Sequence, residues 1–167
     1  MEIFDMPNKE IKLKPLPEVG KEYHFWDDGK TSPSRHYICR VERILTPKEA
    51  MKFTIEVPMQ DLKTLNTWTE QFSLYDHWKD EAPQHPWLFA ENTDAFIEVS
   101  CPSYDDHNLW CVRTKDGGWF SLDIQSWWQG GRLDVDGEIY KEVVDYWENE
   151  GEYDRVEAYK KEKYGPY

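Results

Sequence analysis

The sequence has no apolar run near the ~20 residues that a membrane-spanning helix needs, and its mean hydropathy is strongly negative at −0.87. Its start, Met-Glu-Ile-Phe-Asp-Met-Pro, has no basic stretch followed by an apolar one, so no secretory signal is expected. A soluble, cytoplasmic protein with no membrane partner is the expectation. Cysteine is scarce. The three residues, Cys39, Cys101 and Cys111, are widely spaced and odd in number, which argues against a disulfide scaffold and for buried reduced thiols. There is no Cys-x-x-Cys pair, no Gly-x-Ser-x-Gly and no phosphate-binding Gly-x-x-x-x-Gly-Lys-Ser/Thr. Internal repeats and low-complexity tracts are also absent.

Basic residues are few relative to acidic ones, 20 Lys and Arg against 33 Asp and Glu, for a net charge of −13. The imbalance is uneven. Residues 1–57 hold ten of each sign, residues 58–110 hold two basic and ten acidic, and residues 111–167 hold eight basic and thirteen acidic. Direct binding to a nucleic-acid backbone is disfavoured, because phosphates are met by Lys and Arg. A strongly acidic surface suits docking onto a basic protein.

Aromatic residues are abundant, at 16% of the chain with nine Trp, so the core is expected to rest on Trp, Tyr and Phe. Leu109 to Asp136 carries four of the Trp residues and the plainest turn, Lys115-Asp116-Gly117-Gly118, between apolar runs Leu109–Thr114 and Trp119–Ile124. That pattern predicts a hairpin. Two-residue alternation predicts further strands over 21–27, 35–45, 52–57 (ended by Pro58) and 95–101. Capping-box patterns open short helices at Thr46 and at Ser73, the second running from Leu74 to about Glu81. Residues 59–72 fit helical spacing through Met59, Leu62, Leu65, Trp68 and Phe72, but their threonines favour a loop followed by a strand from about Thr67 to Phe72. Gly130-Gly131 reads as a break. Residues 137–149 form the strongest amphipathic helix, capped by Asp136, and residues 152–163 a second.

The predicted architecture is α+β in a single domain, 1–167. It comprises an extended arm over 1–20, a β-rich body over 21–136 and C-terminal helices over 137–163. The body is a twisted antiparallel sheet or small open barrel of about six to seven strands, interrupted by short helices, with a C-terminal helical pair packed on it.

No catalytic residue, cofactor or metal site is assigned. Asp134-Val135-Asp136-Gly137 has the look of a calcium loop, but Arg132 and Val143 stand where an EF-hand needs acids. Cys101, His107 and Cys111 lack zinc spacing. His36 and Cys39, three apart on a strand, face opposite ways. A ligand pocket lined by Trp119, Trp127 and Trp128 is conceivable, although adjacent strand residues cannot share a face. The more usable feature is the acidic tracts. One includes Asp76, Asp80, Glu81, Asp105 and Asp106, the other Asp134, Asp136, Glu138, Glu142, Asp145 and Glu148. If folding pools them, they present a phosphate-like array to a basic, nucleic-acid-binding partner.

The texture of Asp116–Gly137 (D-G-G-W-F-S-L-D-I-Q-S-W-W-Q-G-G-R-L-D-V-D-G) resembles small uncharacterised accessory proteins of gut-bacterial mobile elements. The resemblance implies a context in which inhibitors of host defence are common, small acidic anti-CRISPR proteins among them. It transfers no site residue. The expected function is therefore a non-enzymatic acidic interaction protein, an inhibitor or regulator of a basic partner and a DNA mimic in kind. The alternatives are a small-ligand or carbohydrate binder, or enzyme, with a Trp-lined pocket, and a toxin-immunity or assembly protein working through exposed aromatics.

Overall fold

A computed structural model describes residues 12–27, 36–100, 108–122 and 130–149. Six strands close into an antiparallel barrel in the order β1 (Glu22–Asp27), β2 (His36–Leu45), β5 (Phe96–Ser100), β6 (Asn108–Arg113), β7 (Trp119–Ser121) and β8 (Gly131–Asp134). Between β2 and β5 the chain makes helix α1 (Pro47–Lys52), a ribbon of β3 (Thr54–Gln60) and β4 (Thr67–Ser73), and helix α2 (Leu74–Glu81). A one-turn 3-10 helix (Ala82–Gln84) follows α2, and helix α3 (Glu138–Asn149) follows β8. The class is α+β and mostly strand, as expected. Among the described residues no helix is long and apolar enough to cross a membrane.

Closure depends on β2. Its ten residues pair with β1 through His36–Arg40 and with β5 through Arg40–Leu45, with an irregularity between Val41 and Arg43. A bulge there bends the strand and increases its twist, which lets one strand serve two walls. Period-two alternation fills the interior with Tyr23 and Phe25 of β1, Cys39 and Val41 of β2, Ile97 and Val99 of β5, Cys111, Trp119 and Leu133. The outer face is also buried on two walls. Phe96, Trp110, Val112 and Phe120 of β5–β7 pack under Ala50 of α1 and Leu74 and Trp78 of α2. Trp26 of β1 packs under Val143 and Val144 of α3.

Three local expectations change. Pro58 does not end β3, which runs on to Gln60 and pairs Pro58 with Thr69. Among the described residues β3 has a partner on one side only, an edge position where Pro is tolerated. Gly131 is not a break but the first residue of β8, the strand that closes the barrel. A Cβ on it would lie 2.4 Å from the Phe25 ring and 2.6 Å from the Trp26 carbonyl oxygen, so only glycine permits that approach. Phe89 forms an isolated antiparallel bridge with Thr114. Cys111 is a buried reduced thiol, but Cys39 is disulfide-bonded, against the reduced-thiol expectation. The second predicted C-terminal helix, 152–163, lies outside the described residues.

The described part of the N-terminal arm is tied to the barrel. The Lys14 N–H donates to the Gly117 carbonyl at 2.9 Å, and the Trp119 indole N–H donates to the Pro15 carbonyl at 3.1 Å.

Candidate docking surfaces

Helix α3 begins where two carboxylates meet its free N–H groups. Asp134 accepts from the backbone N–H of Tyr140 at 2.9 Å and of Ile139 at 3.2 Å, and Asp136 accepts from Glu138 at 3.2 Å. Asp134, more than the expected Asp136, is the capping acid, and it is 1% exposed. Burial pushes its carboxyl above the ordinary value, the helix N–H groups oppose that, and neighbouring Asp136 adds to it. Asp136 forms a salt bridge with Lys14 at 2.8 Å. Burial lowers the Lys14 pKa, but the hydrogen bond and charge of Asp136 outweigh it and hold the ammonium above its usual value. Neither Asp134 nor Asp136 is therefore a free element of an acidic surface.

Further along α3, the partly buried Ile139 and Tyr140 and the buried Val143 and Val144 face the barrel. Glu138, Glu142 and Asp145 are exposed and Glu148 is half-buried. Their spacings of four, three and three residues put these carboxylates on one outward stripe. The stripe is roughly 15 Å long at 1.5 Å per residue. Lys141 is exposed on the same helix and interrupts it.

The described acids of the other tract lie elsewhere. On α2, Asp76 and Asp80 are exposed and Glu81 is half-buried, while Leu74, His77 and Trp78 are buried. Because α2 covers β5–β7 and α3 covers β1 at its junction with β8, the two tracts occupy different walls of the barrel. The fold brings Asp134, Asp136, Glu138 and Glu142 together around a small polar cavity of about 120 Å³, and Asp80 and Glu81 together on a second groove. Asp105, Asp106, Trp127 and Trp128 lie outside the described residues. Trp119 is 1% exposed, with the Arg113 guanidinium 3.8 Å from its ring centre, so it serves as a core residue.

Other acids are paired. Arg113, buried, bonds Asp94 at 2.8 Å and the carbonyls of Lys14 and Gly117. Burial raises the Asp94 pKa, but Arg113 overrides it and leaves the group below its ordinary value. Asp116 is likewise pushed up by burial and brought down further by Thr114, the Gly118 N–H and Arg132, which lies 3.1 Å away. Arg43 meets Glu98 at 2.7 Å. Among the described residues no group of three or more His, Cys, Asp or Glu is arranged to hold a metal ion.

The ribbon was missed as a surface, although its residues were noted. In the β3–β4 register, Ile55, Val57 and Met59 stand opposite Phe72, Glu70 and Trp68, giving one largely apolar face. The other face carries Thr54, Glu56, Gln60, Thr67, Thr69 and Gln71. Leu62 and Leu65, in the connecting loop, are 85% and 69% exposed, and Trp68 is 43% exposed. Asp61 organises the loop by accepting from the Lys63 N–H at 2.8 Å. Leu65 sits at φ 60°, the left-handed region, among the described residues the only non-glycine there. Leucine in that conformation costs about 1 kcal/mol, and an exposed side chain returns no burial energy. Between the ribbon and α2 lies a groove of about 440 Å³, with Val57, Met59 and Phe72 on one side and His77, Asp80 and Glu81 on the other. A second, smaller cavity of about 300 Å³ lies between Trp78, Phe89 and Lys115.

The helical spacing of Met59, Leu62, Leu65 and Trp68 was the available signal. It marks a run of apolar residues of which Leu62, Leu65 and Trp68 stay exposed. No family model, no curated protein and no solved structure matches the chain.

Proposed function

We propose that the protein is a non-enzymatic, acidic interaction protein that docks on a basic partner, a nucleic-acid-binding enzyme being the class whose surface complements it. The observation that carries this is the outward stripe of α3: Glu138, Glu142 and Asp145 are exposed on a helix whose opposite face is anchored to the barrel. A rigidly held row of carboxylates steers a cationic surface and adds affinity that falls with salt. Because the α2 tract occupies another wall, the proposed DNA-like character belongs to α3 alone rather than to one array spanning both helices.

The test is chromatography of the native host's DNA-binding proteins on the immobilised chain. Retention of a basic protein at low salt, its release by double-stranded DNA, and its loss with Glu138→Gln/Glu142→Gln/Asp145→Asn are expected. Retention indifferent to salt and to DNA would remove the proposal.

The cytoplasm is the compartment proposed from composition. A disulfide at Cys39 argues the other way, because cytosolic thiols are kept reduced in mesophiles. Alkylation of the denatured, unreduced protein from its host decides: a labelled Cys39 places it in the cytoplasm, a protected one in an oxidising compartment.

A further inference from the structure

The geometry points to the groove between the β3–β4 ribbon and α2 as the place where an extended, basic segment of the partner docks, with large apolar side chains seated against Val57, Met59 and Phe72. The inference rests on the proposed docking to a basic partner and adds to α3 a second contact, on another wall of the molecule. Three independent features carry it.

The first is charge. The walls of the groove include Asp80 and Glu81, and none of its described lining residues is Lys or Arg. An apolar floor with an anionic rim selects a segment in which Lys or Arg flanks an apolar anchor. The second is shape. Four consecutive residues of β3, Val57 to Gln60, line the groove, so it follows the strand's edge and accepts an extended chain. Pro58 offers no N–H there, which discourages indiscriminate strand addition and leaves recognition to side chains. The third is the tip. Trp68 is held along the ribbon by its indole N–H donating to Glu70 at 3.1 Å, and Leu62 and Leu65 continue the apolar surface past the groove. Leu65 keeps a left-handed backbone where glycine or asparagine would be at ease, with its side chain in solvent. A residue that the free fold disfavours in two ways is accounted for by a contact made outside the chain.

The experiment uses the full chain, isotope-labelled, titrated by NMR with a twelve-residue arginine-rich peptide carrying two phenylalanines. Extended, the peptide is about 40 Å long and reaches from α2 to the hairpin tip. Saturable shifts at Val57, Met59, Phe72 and Asp80 are expected. Affinity should fall roughly tenfold, the equivalent of 1.4 kcal/mol, for Asp80→Asn/Glu81→Gln and for a peptide with alanine in place of phenylalanine. Leu65→Gly should weaken binding while leaving the melting temperature equal or higher, an outcome that a purely structural leucine would not give. Absence of saturable shifts in the groove, or tight binding that survives the groove variants, would overturn the inference. If binding survives them but is lost with Glu138→Gln/Glu142→Gln/Asp145→Asn, the groove is excluded and docking through α3 stands. Binding indifferent to both sets removes both.

Discussion

Each strand of the barrel has a neighbour on both sides, whereas β3 and β4 have only each other among the described residues. The barrel's interior side chains are buried to a few percent, while residues 67–71 of β4 are all exposed. Both regions use the same alternating chemistry of apolar and polar residues. The difference lies in what the apolar face meets. In the barrel it meets five other strands, and in the ribbon it meets a half-filled groove and solvent. A closed barrel has no edges to protect and concentrates stability. A two-stranded ribbon is marginal alone and leans on α1 and α2 at its base, where Leu74 N–H donates to the Phe53 carbonyl. A region with few buried contacts of its own spends less of its surface on folding.

Mutation tests that contrast directly. Trp119→Ala should cost the most, about 4 kcal/mol, because it empties the barrel interior and removes the ring stacked on Arg113; urea unfolding measures it. Gly131→Ala should cost about 2–3 kcal/mol, since its methyl group meets the Trp26 carbonyl as well as the movable Phe25 ring. A stable, unshifted Gly131→Ala variant would mean that β8 does not close the barrel as described. Asp134→Ala should lose about 1–2 kcal/mol through the cap of α3. Trp68→Thr and Leu62→Ser on the ribbon should change stability by only about 0.5 kcal/mol; a loss comparable to the barrel variants would collapse the distinction between the two regions.

Acid titration separates the carboxylates further. The raised Asp134 pKa means that the folded state holds a proton the unfolded chain has released, in the window from that raised value down to the ordinary 3.8. Wild-type stability relative to Asp134→Asn should therefore increase as pH falls through this window and be constant below it. Asp94 and Asp116, held below the ordinary value, act with the opposite sign: their contribution is present above 3.8 and is lost as pH falls through their lowered values. Urea unfolding of Asp94→Asn and Asp116→Asn over the same pH series measures it.

Much of the fold was legible locally. The Thr46 capping box is present as written, α2 spans Leu74–Glu81, and the Lys115–Gly118 turn joins β6 to β7, with Gly117 at φ 87°. These features rest on hydrogen bonds and torsions within a few residues. What escaped was set at long range. Gly131 reads as a break until Phe25 and Trp26 lie against it. Asp134 reads as a surface acid until α3 folds back and its N–H groups close on it. Pro58 reads as a stop until β3 is seen to be an edge strand among the described residues.

The site was less legible than the fold for the same reason. The carboxylates of α2 and α3 are plain in the sequence, but which wall each helix covers depends on how Trp26, Phe96 and Phe120 are shared among outer faces. By itself the sequence determined a large negative charge, an aromatic core, and the positions of turns and caps, because composition and short-range torsional preference require no partner. Tertiary structure alone decided that the barrel closes, that the acids of α2 and α3 part, and that Leu62, Leu65 and Trp68 remain exposed. Each of those outcomes depends on which distant surfaces compete for the same apolar contact.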